Sequence, residues 1–566
     1  MKLIKPRFLL LLFFLFAIFP RESWVFAQAV RAKRGMVASV NPIATQVGLD
    51  TMKSGGNAVD AAVATALTLG IVDGHNSGLG GGCFVLVRSA DGSFLAIDGR
   101  ETAPAAATRD MFVRDGMVIP GLSTTGPLAI GVPGALAAYD TAIAKRGKLK
   151  LADLLISASK HGDDGFPVDR VYARNLNNSQ PALAQFPGSR EMLLKADATP
   201  YAEGETLKLP DLARSYRVMA KEGRDWFYEG KFANDVDRWM KANGGLITKA
   251  DFENYRAIQR EPIITEYRGH KVVGFPPPSS GGIHVAQILN ILENFDMAML
   301  LREKPATAIH VIGEAMKLAV ADRAHWLGDA DFAKVPKGLV NEEYARQLAK
   351  LIELNSVADI ASHGLPPNWE SDLYGKHTTH IAAADELGNW VAITATVNTS
   401  FGSKVVVPGT GLVLNNEMDD FSSMPGVPNA FGLVGAEANA VEPGKRPLSS
   451  MSPTIVVKDD IPVLTVGAAG GPKIITQVVL AIVRFIDGGM GADDSISRPR
   501  LHHQWRPDKL FVEQGFDERH VDFLKSLGHE VEYLTSGGVA QMICRGPNGV
   551  FLGVADPRVP GKAIGF

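Results

Sequence analysis

Cysteine is almost missing from this chain. Cys83 and Cys544 are the only two in 566 residues. That excludes a disulfide framework, and no metal-ligand spacing involves either residue, so both are expected as free thiols. A surplus of one charge is missing as well. The net charge is −3, without long charge runs, so the electrostatic footprint of a nucleic-acid partner is absent. After the N-terminus no apolar run approaches the roughly 20 residues that cross a bilayer. Internal repeats and low-complexity tracts are also absent. Three familiar site patterns fail on spacing. Gly78-Leu79-Gly80-Gly81-Gly82 is not G-x-G-x-x-G, so a phosphate loop is not expected. Pro276-Pro277-Pro278-Ser279-Ser280-Gly281-Gly282 lacks the G-x-S-x-G nucleophile elbow and reads as a structural turn. His310, Glu314 and His325 do not make H-E-x-x-H, so no metal site is expected there.

What is present is an ordinary globular composition, 46% hydrophobic and 21% charged, long enough for more than one domain by length alone. The N-terminus reads as a targeting segment. Lys2, Lys5 and Arg7 precede the apolar stretch Phe8–Phe19, and Ala27-Gln28-Ala29 fits small-x-small cleavage. Residues 1–29 are therefore expected to be a removed signal peptide, leaving an exported protein, periplasmic or secreted. Asn41 before Pro42 predicts a capped helix to Lys53, and Asn57 a second helix to about Leu69. Cys83–Arg88 and Ser93–Asp98 form a predicted hairpin around Asp91-Gly92, ending at Arg100. Residues 120–270 read as mainly helical, with a capping box at Thr248-Lys249-Ala250-Asp251. Asp163, Asp164, Asp169 and Asp251 have no spacing that favours catalysis over solvated loop ends. A strand is expected at Val272–Phe275, a helix from near Ile283, and a long helix over Ala308–Ala324. Adjacent histidines on a strand face opposite ways, so His502 and His503 are not expected to share a ligand.

A second hairpin organises the rest. Thr379–Ala384 and Trp390–Asn398 alternate as strands around Asp385-Glu386-Leu387-Gly388-Asn389, where Gly388 suits a left-handed turn position. If Asp385 faces Asn389, Ala384 faces Trp390 and Thr378 faces Thr396. The period of two then puts Thr394, Thr396 and Asn398 on one face. Further on, Glu417 and Asp420 are two carboxylates suited to an ammonium group. Gly470-Gly471-Pro472, between a strand at Thr465–Ala468 and a helix from Ile474 to Ile486, leaves backbone N–H groups free as an anion site.

His377-Thr378-Thr379-His380, Thr396-Val397-Asn398-Thr399-Ser400-Phe401-Gly402, Asn415-Asn416-Glu417-Met418-Asp419-Asp420-Phe421 and Arg446-Pro447-Leu448-Ser449-Ser450-Met451-Ser452-Pro453 together resemble the γ-glutamyltranspeptidases, a family of N-terminal-nucleophile hydrolases. The resemblance covers nearly the whole chain after about residue 30. It implies an α+β fold, a four-layer αββα sandwich, made as an inactive precursor that cuts itself between His377 and Thr378. The products would be a large subunit, about 30–377, and a small subunit, 378–566, paired as a heterodimer.

The chemistry is coherent. Threonine Oγ needs a base, and the cut would give Thr378 an α-amino group of reference pKa about 7.7–8.0, so nucleophile and base share one residue. The resemblance further implies that Arg100, Ser449 and Ser450 hold a substrate α-carboxylate. Glu417 and Asp420, with Asn398, serve the amino end. Gly470 and Gly471 form an oxyanion hole beside Thr396. The tract Ser423–Pro447 forms a lid in which Phe431 replaces the tyrosine of many members, and Arg500 is structural. No cofactor or metal is implied. Expected substrates are glutathione and related γ-glutamyl compounds, with water, amino acids or dipeptides as acceptors. Two other readings are a glutaryl-type (cephalosporin) acylase of the same fold and a non-catalytic γ-glutamyl-binding protein. The retained Glu417, Asp420 and Asn398 argue against the first, and the retained Thr378, Thr396 and glycine pair against the second.

Overall fold

The computed structural model describes residues 28–367, 379–534 and 537–566. His377 and Thr378, the predicted cleavage pair, lie outside the described residues, as does most of the predicted signal peptide.

Alternation along the strands builds the architecture. In His380–Asp385, Ile381 and Ala383 belong to one apolar cluster, while Ala382 and Ala384 belong to another. Successive strand residues face opposite sides, so this strand is buried on both faces and reads as a continuous apolar run. Two seven-stranded sheets result. The first runs Lys562–Gly565, Gly35–Ser39, His380–Asp385, Trp390–Thr396, Gly82–Arg88, Phe94–Gly99, Ile258–Arg260. The second runs Val30–Ala32, Phe551–Ala555, Val539–Arg545, Ile461–Ala469, Thr454–Lys458, His270–Gly274, Ile263–Tyr267.

A core containing Met36, Phe84, Phe275, Trp390, Ile455 and Phe551 lies between the sheets. The outer face of the first sheet is covered by helices Pro42–Lys53, Ala58–Val72 and Ala135–Arg146. The outer face of the second is covered by Ser280–Leu292, Pro305–Trp326 and Lys473–Ile486. The chain is thus the expected αββα sandwich. Strands from before and after residue 377 interleave in both sheets, so neither half has a core of its own.

Local expectations held with small shifts. Asn41 and Asn57 accept N–H groups at the starts of their helices, and the second helix runs three residues past Leu69, to Val72. Thr248 and Asp251 complete the capping box. The helix expected near Ile283 begins at Ser280, because Ser279 Oγ caps it by accepting the Gly281 N–H. The hairpin register is as derived: Ala384 pairs with Trp390 and His380 with Thr394, with Gly388 at φ +96°. The second strand stops at Thr396, two residues before the expected Asn398, since Asn398 adopts φ +77°. The two cysteines are free and buried. Among the described residues no helix is long and apolar enough to cross a membrane.

Candidate active site

The strand Phe94–Gly99 delivers Arg100 into the interior, where its backbone is held from three sides. Asp98 Oδ1 accepts the Arg100 N–H at 2.9 Å, and Tyr255 Oη and Arg446 Nη1 donate to the Arg100 carbonyl at 2.6 and 2.8 Å. The guanidinium then meets three carboxylates, all fully buried. Nη2 is 2.7 Å from Asp420 Oδ2 and 2.6 Å from Glu417 Oε2, and Nη1 is 3.3 Å from Glu101 Oε2. Glu417 meets the guanidinium as a buried ion pair. Burial pushes the Glu417 carboxyl well up and Glu101 up to about 7, against the pull of Arg100. Burial works against charge on Arg100 too, but Glu417, Glu101 and Asp420 outweigh it and raise its pKa. A lone arginine at a strand end, ordinarily a solvated charge, is here the centre of a buried ionic cluster.

Arg323 is the residue that sequence reasoning missed. It stands near the end of helix Pro305–Trp326 and donates to Ser280 Oγ at 3.0 Å and to Ser450 Oγ at 3.4 Å. Ser280 in turn donates through both N–H and hydroxyl to the Ser449 carbonyl. The Ser279-Ser280 turn therefore buttresses the serine pair, which agrees with its structural reading. Arg323 forms no ion pair among the described residues, and burial lowers its pKa to about 10, with Asp420 opposing. It lines a cavity of about 260 Å³ with Asp420, Asp419, Ser422 and Asn429. No motif marks it. The only signal was a charged side chain at a helix position whose neighbours are buried.

Asn398 joins the carboxylate loop through its amide, which donates to the Asn416 carbonyl at 3.0 Å; its own N–H bonds Thr396 Oγ1 at 2.7 Å. Its Oδ1 is buried without a donor among the described residues. A non-glycine residue at positive φ with an unsatisfied acceptor is strained for a reason.

The glycine pair sits at the end of strand Ile461–Ala469. Gly470 has φ +130° and Gly471 φ +60°. A Cβ on Gly470 would come within 3.0 Å of Gly538 Cα, and one on Gly471 within 2.8 Å of Phe431 Cδ1. Gln477 donates to the Ala469 carbonyl, and Arg500 fixes Gln477 and Gly538 together at 2.7 and 2.8 Å while pairing with Asp556. Arg500 thus acts structurally, as a brace behind the glycines. Thr379 and Gly470 line a second cavity of about 650 Å³ with Asp73, Asn76 and Arg174.

The tract around Phe431 bridges the two cavities. Asn429 donates to Asp420 Oδ1 at 3.3 Å, the Ala430 N–H donates to Asp419 Oδ2 at 3.0 Å, and the Phe431 ring lies on Gly471. These two hydrogen bonds tie the tract to Asp419 and Asp420. His502 and His503 diverge as expected, one to Thr476 and Gln504, the other to Asp508. Asp163 is paired with Arg217 near the surface, whereas Asp169 and Asp251 cap helices.

The profile of the γ-glutamyltranspeptidases matches residues 44–566, nearly everything after the predicted signal segment. The chain belongs to the γ-glutamyltranspeptidase family. A glutathione hydrolase proenzyme of Escherichia coli is 46% identical over 532 residues, covering 94% of this chain and 91% of its own. Among solved structures, a cephalosporin acylase from Bacillus halodurans superposes with TM-score 0.85 at 28% identity, covering 97% of this chain and 99% of that one. The γ-glutamyltranspeptidase of Helicobacter pylori gives 0.56 at 36% identity over 58% of this chain and 94% of that one. In this γ-glutamyltranspeptidase the predicted site residues among the described ones include four groups: Arg100 with Glu417 and Asp420, Ser449 with Ser450, Thr396 with Asn398, and Gly470 with Gly471. The first two groups meet at the cavity that Arg323 and Asp420 share, and Phe431 links that cavity to Gly471.

Proposed function

We propose that this protein is a γ-glutamyltransferase and glutathione hydrolase, exported as a precursor that cuts itself between His377 and Thr378. Residues 1–29 would be removed on export to the periplasm or beyond. The fragments 30–377 and 378–566 would stay together as one heterodimer, since both sheets draw strands from each. The observation that carries the reading is the buried set of Arg100, Glu417 and Asp420 with the unsatisfied Asn398 Oδ1. It offers both signs of charge in one dry place, which suits an amino-acid zwitterion. Ser449 and Ser450, with Arg100, would take the α-carboxylate; Glu417, Asp420 and Asn398 would take the α-ammonium.

In the reaction, Thr378 Oγ attacks the γ-carbonyl as its own α-amino group takes the hydroxyl proton. The Gly470 and Gly471 N–H groups, which donate to no described residue, stabilise the tetrahedral oxyanion, with Thr396 alongside. Collapse expels the amine of cysteinylglycine, which receives the proton from the α-ammonium. A γ-glutamyl ester on Thr378 remains. Water releases glutamate, or an amino acid or dipeptide accepts the acyl group.

The deciding experiment compares processed enzyme on γ-glutamyl and glutaryl anilides that differ only in the α-amino group. Sites built to bind a polar group reject analogues lacking it by about 10⁴–10⁵, and a preference of that order is expected here. Comparable rates would favour an acylase, the reading that the Bacillus halodurans fold match would otherwise encourage.

Charge counting yields another expectation. Glu101, Glu417 and Asp420 face Arg100 and Arg323, so negative charge exceeds positive by one among these groups. Burial raises Glu417 and Glu101, the latter to about 7, so the free site holds a proton at neutral pH. The α-ammonium should displace it. KM is then expected to fall as pH rises through about 7, and calorimetry in buffers of different ionisation enthalpy should show proton release on binding. Proton uptake would contradict this.

Arg323→Gln is expected to raise KM about 10–100-fold with a smaller change in kcat, because a charge-assisted bond to Ser450 contributes about 1.5–3 kcal/mol. Gly471→Ala is expected to lower kcat by about 10²–10³, since φ +60° and the Phe431 contact force the turn to move. Phe431→Ala in the same chain should recover only the steric part, as seen in single-turnover acylation rates.

A further inference from the structure

We infer that His310, Glu314 and His529 form a binding site for one divalent transition-metal ion of the Zn²⁺ type. His310 and Glu314 stand one turn apart on helix Pro305–Trp326, on the same face. His325, whose spacing from these two gave no metal motif, stacks on His363 and takes no part. The third group comes from far along the chain. His529 follows the helix Glu518–Ser526 and is fixed there by its N–H bond to the Leu524 carbonyl at 3.2 Å. One ligand atom from each of the three residues lies within 4.8 Å of the others, and all three side chains are buried.

Two details point to a cation. His310 Nε2 is 2.7 Å from the Glu353 carbonyl. A carbonyl only accepts, so that nitrogen carries the hydrogen and Nδ1 presents a bare lone pair. This is how a ligating histidine is oriented by its outer partner. Nδ1 faces His529 Nε2 at 2.7 Å. The second detail is Glu314. Its Oε2 accepts the Ala358 N–H at 2.8 Å, while Oε1 is buried with no hydrogen-bond partner among the described residues.

The nearest cation, Lys317, is already used. It donates to the Ala358 carbonyl at 2.6 Å and pairs with Asp508 at 2.9 Å, and Asp508 also holds His503. A hydrogen bond between the two imidazoles would satisfy their nitrogens but not Glu314 Oε1. An ion would satisfy all three. Shifts of less than about 1 Å bring the groups to the roughly 2.0–2.2 Å at which Zn²⁺ takes nitrogen and oxygen ligands.

The bound ion would tie the long helix to the segment around Glu353–Ala358 and to the turn at His529. Arg323 lies nine residues beyond Glu314 on that helix, about 14 Å away at 1.5 Å per residue. The expected role is therefore structural.

The test uses untagged, processed enzyme stripped with chelator and titrated with Zn²⁺ by calorimetry and thermal unfolding. One ion per heterodimer and a raised Tm are expected. Glu314→Gln and His529→Asn should each weaken binding by at least about tenfold and abolish the Tm rise, with γ-glutamyl turnover in metal-free buffer unchanged. His325→Asn should bind like the parent. Should the two site variants misfold, X-ray absorption on the Zn²⁺-loaded parent decides instead, with two imidazoles and a carboxylate expected. No stoichiometric binding, equal binding by properly folded site variants, or an absorption spectrum without two imidazoles would each overturn the proposal.

Discussion

Thr378→Ala should leave the protein as one uncut chain with no measurable γ-glutamyl turnover. Removing the hydroxyl takes away the nucleophile for both events, the attack on the His377 carbonyl and the attack on substrate. Removing a nucleophile elsewhere costs about 10⁶ in kcat, and here maturation is lost as well. Intact-mass measurement reads the first event and γ-glutamyl anilide hydrolysis the second. The folded core should survive, because the substitution keeps the backbone and removes only a hydroxyl and a methyl group. A single band with a normal Tm is therefore the expected pair of results. Correct cutting of the alanine variant would reject the mechanism. Cutting after Thr378→Ser, with slowed turnover, would support it, since serine keeps the hydroxyl without the methyl group.

Arg100→Ala should destabilise the enzyme by about 3–5 kcal/mol, the usual result of leaving buried charge without its partner. Three carboxylates depend on that guanidinium. With it gone, Glu101 and Glu417, already raised by burial, should be pushed further toward their protonated forms. A sign follows. Both groups lose stabilisation of their charged forms, so the variant should gain more stability as pH falls than the parent, whose Glu101 and Glu417 carboxyls burial already raises. Adding Glu417→Gln should return part of the lost stability, because the amide is neutral without taking up a proton. It should not return substrate binding, because the α-carboxylate still lacks its cation. Urea unfolding at two pH values and KM for a γ-glutamyl anilide separate these effects. If the double variant were no more stable than Arg100→Ala, the cluster would not be the reason for the loss.

Much of the fold was legible because local physics and the final structure agreed. Asn41 before Pro42, Asn57 before an alanine-rich run, and Thr248 three residues before Asp251 each name a helix start through the N–H groups they satisfy. The Asp385–Asn389 turn set a register that holds through Thr379, since the period of two leaves no freedom once one pair is chosen. Errors gathered at ends. The strand to Asn398 stopped short because that residue turns left-handed to meet Asn416, which no propensity foretells.

The site divides the same way. Arg100, Glu417, Asp420, Ser449 and Ser450 were legible through ordered family motifs. The sharing of one buried guanidinium by the carboxylates was not. Arg323 carried no motif, and Phe431 read as a missing hydroxyl although Asn429 and Ala430 hold its loop in place.

Residue order alone was enough to determine the helix starts, the hairpin register and the chemistry of an amine beside a hydroxyl, because each follows from neighbours in the chain or from a short repeat; the layers and the expected cleavage pair at 377 and 378 came through the family resemblance. Tertiary structure decided which charges share one guanidinium, which serine Arg323 supports, and that His529 rather than His325 joins His310 and Glu314. Those outcomes depend on contacts between residues as much as 320 positions apart. Burial sets their energies, and burial is a property of the packed molecule that no local stretch contains.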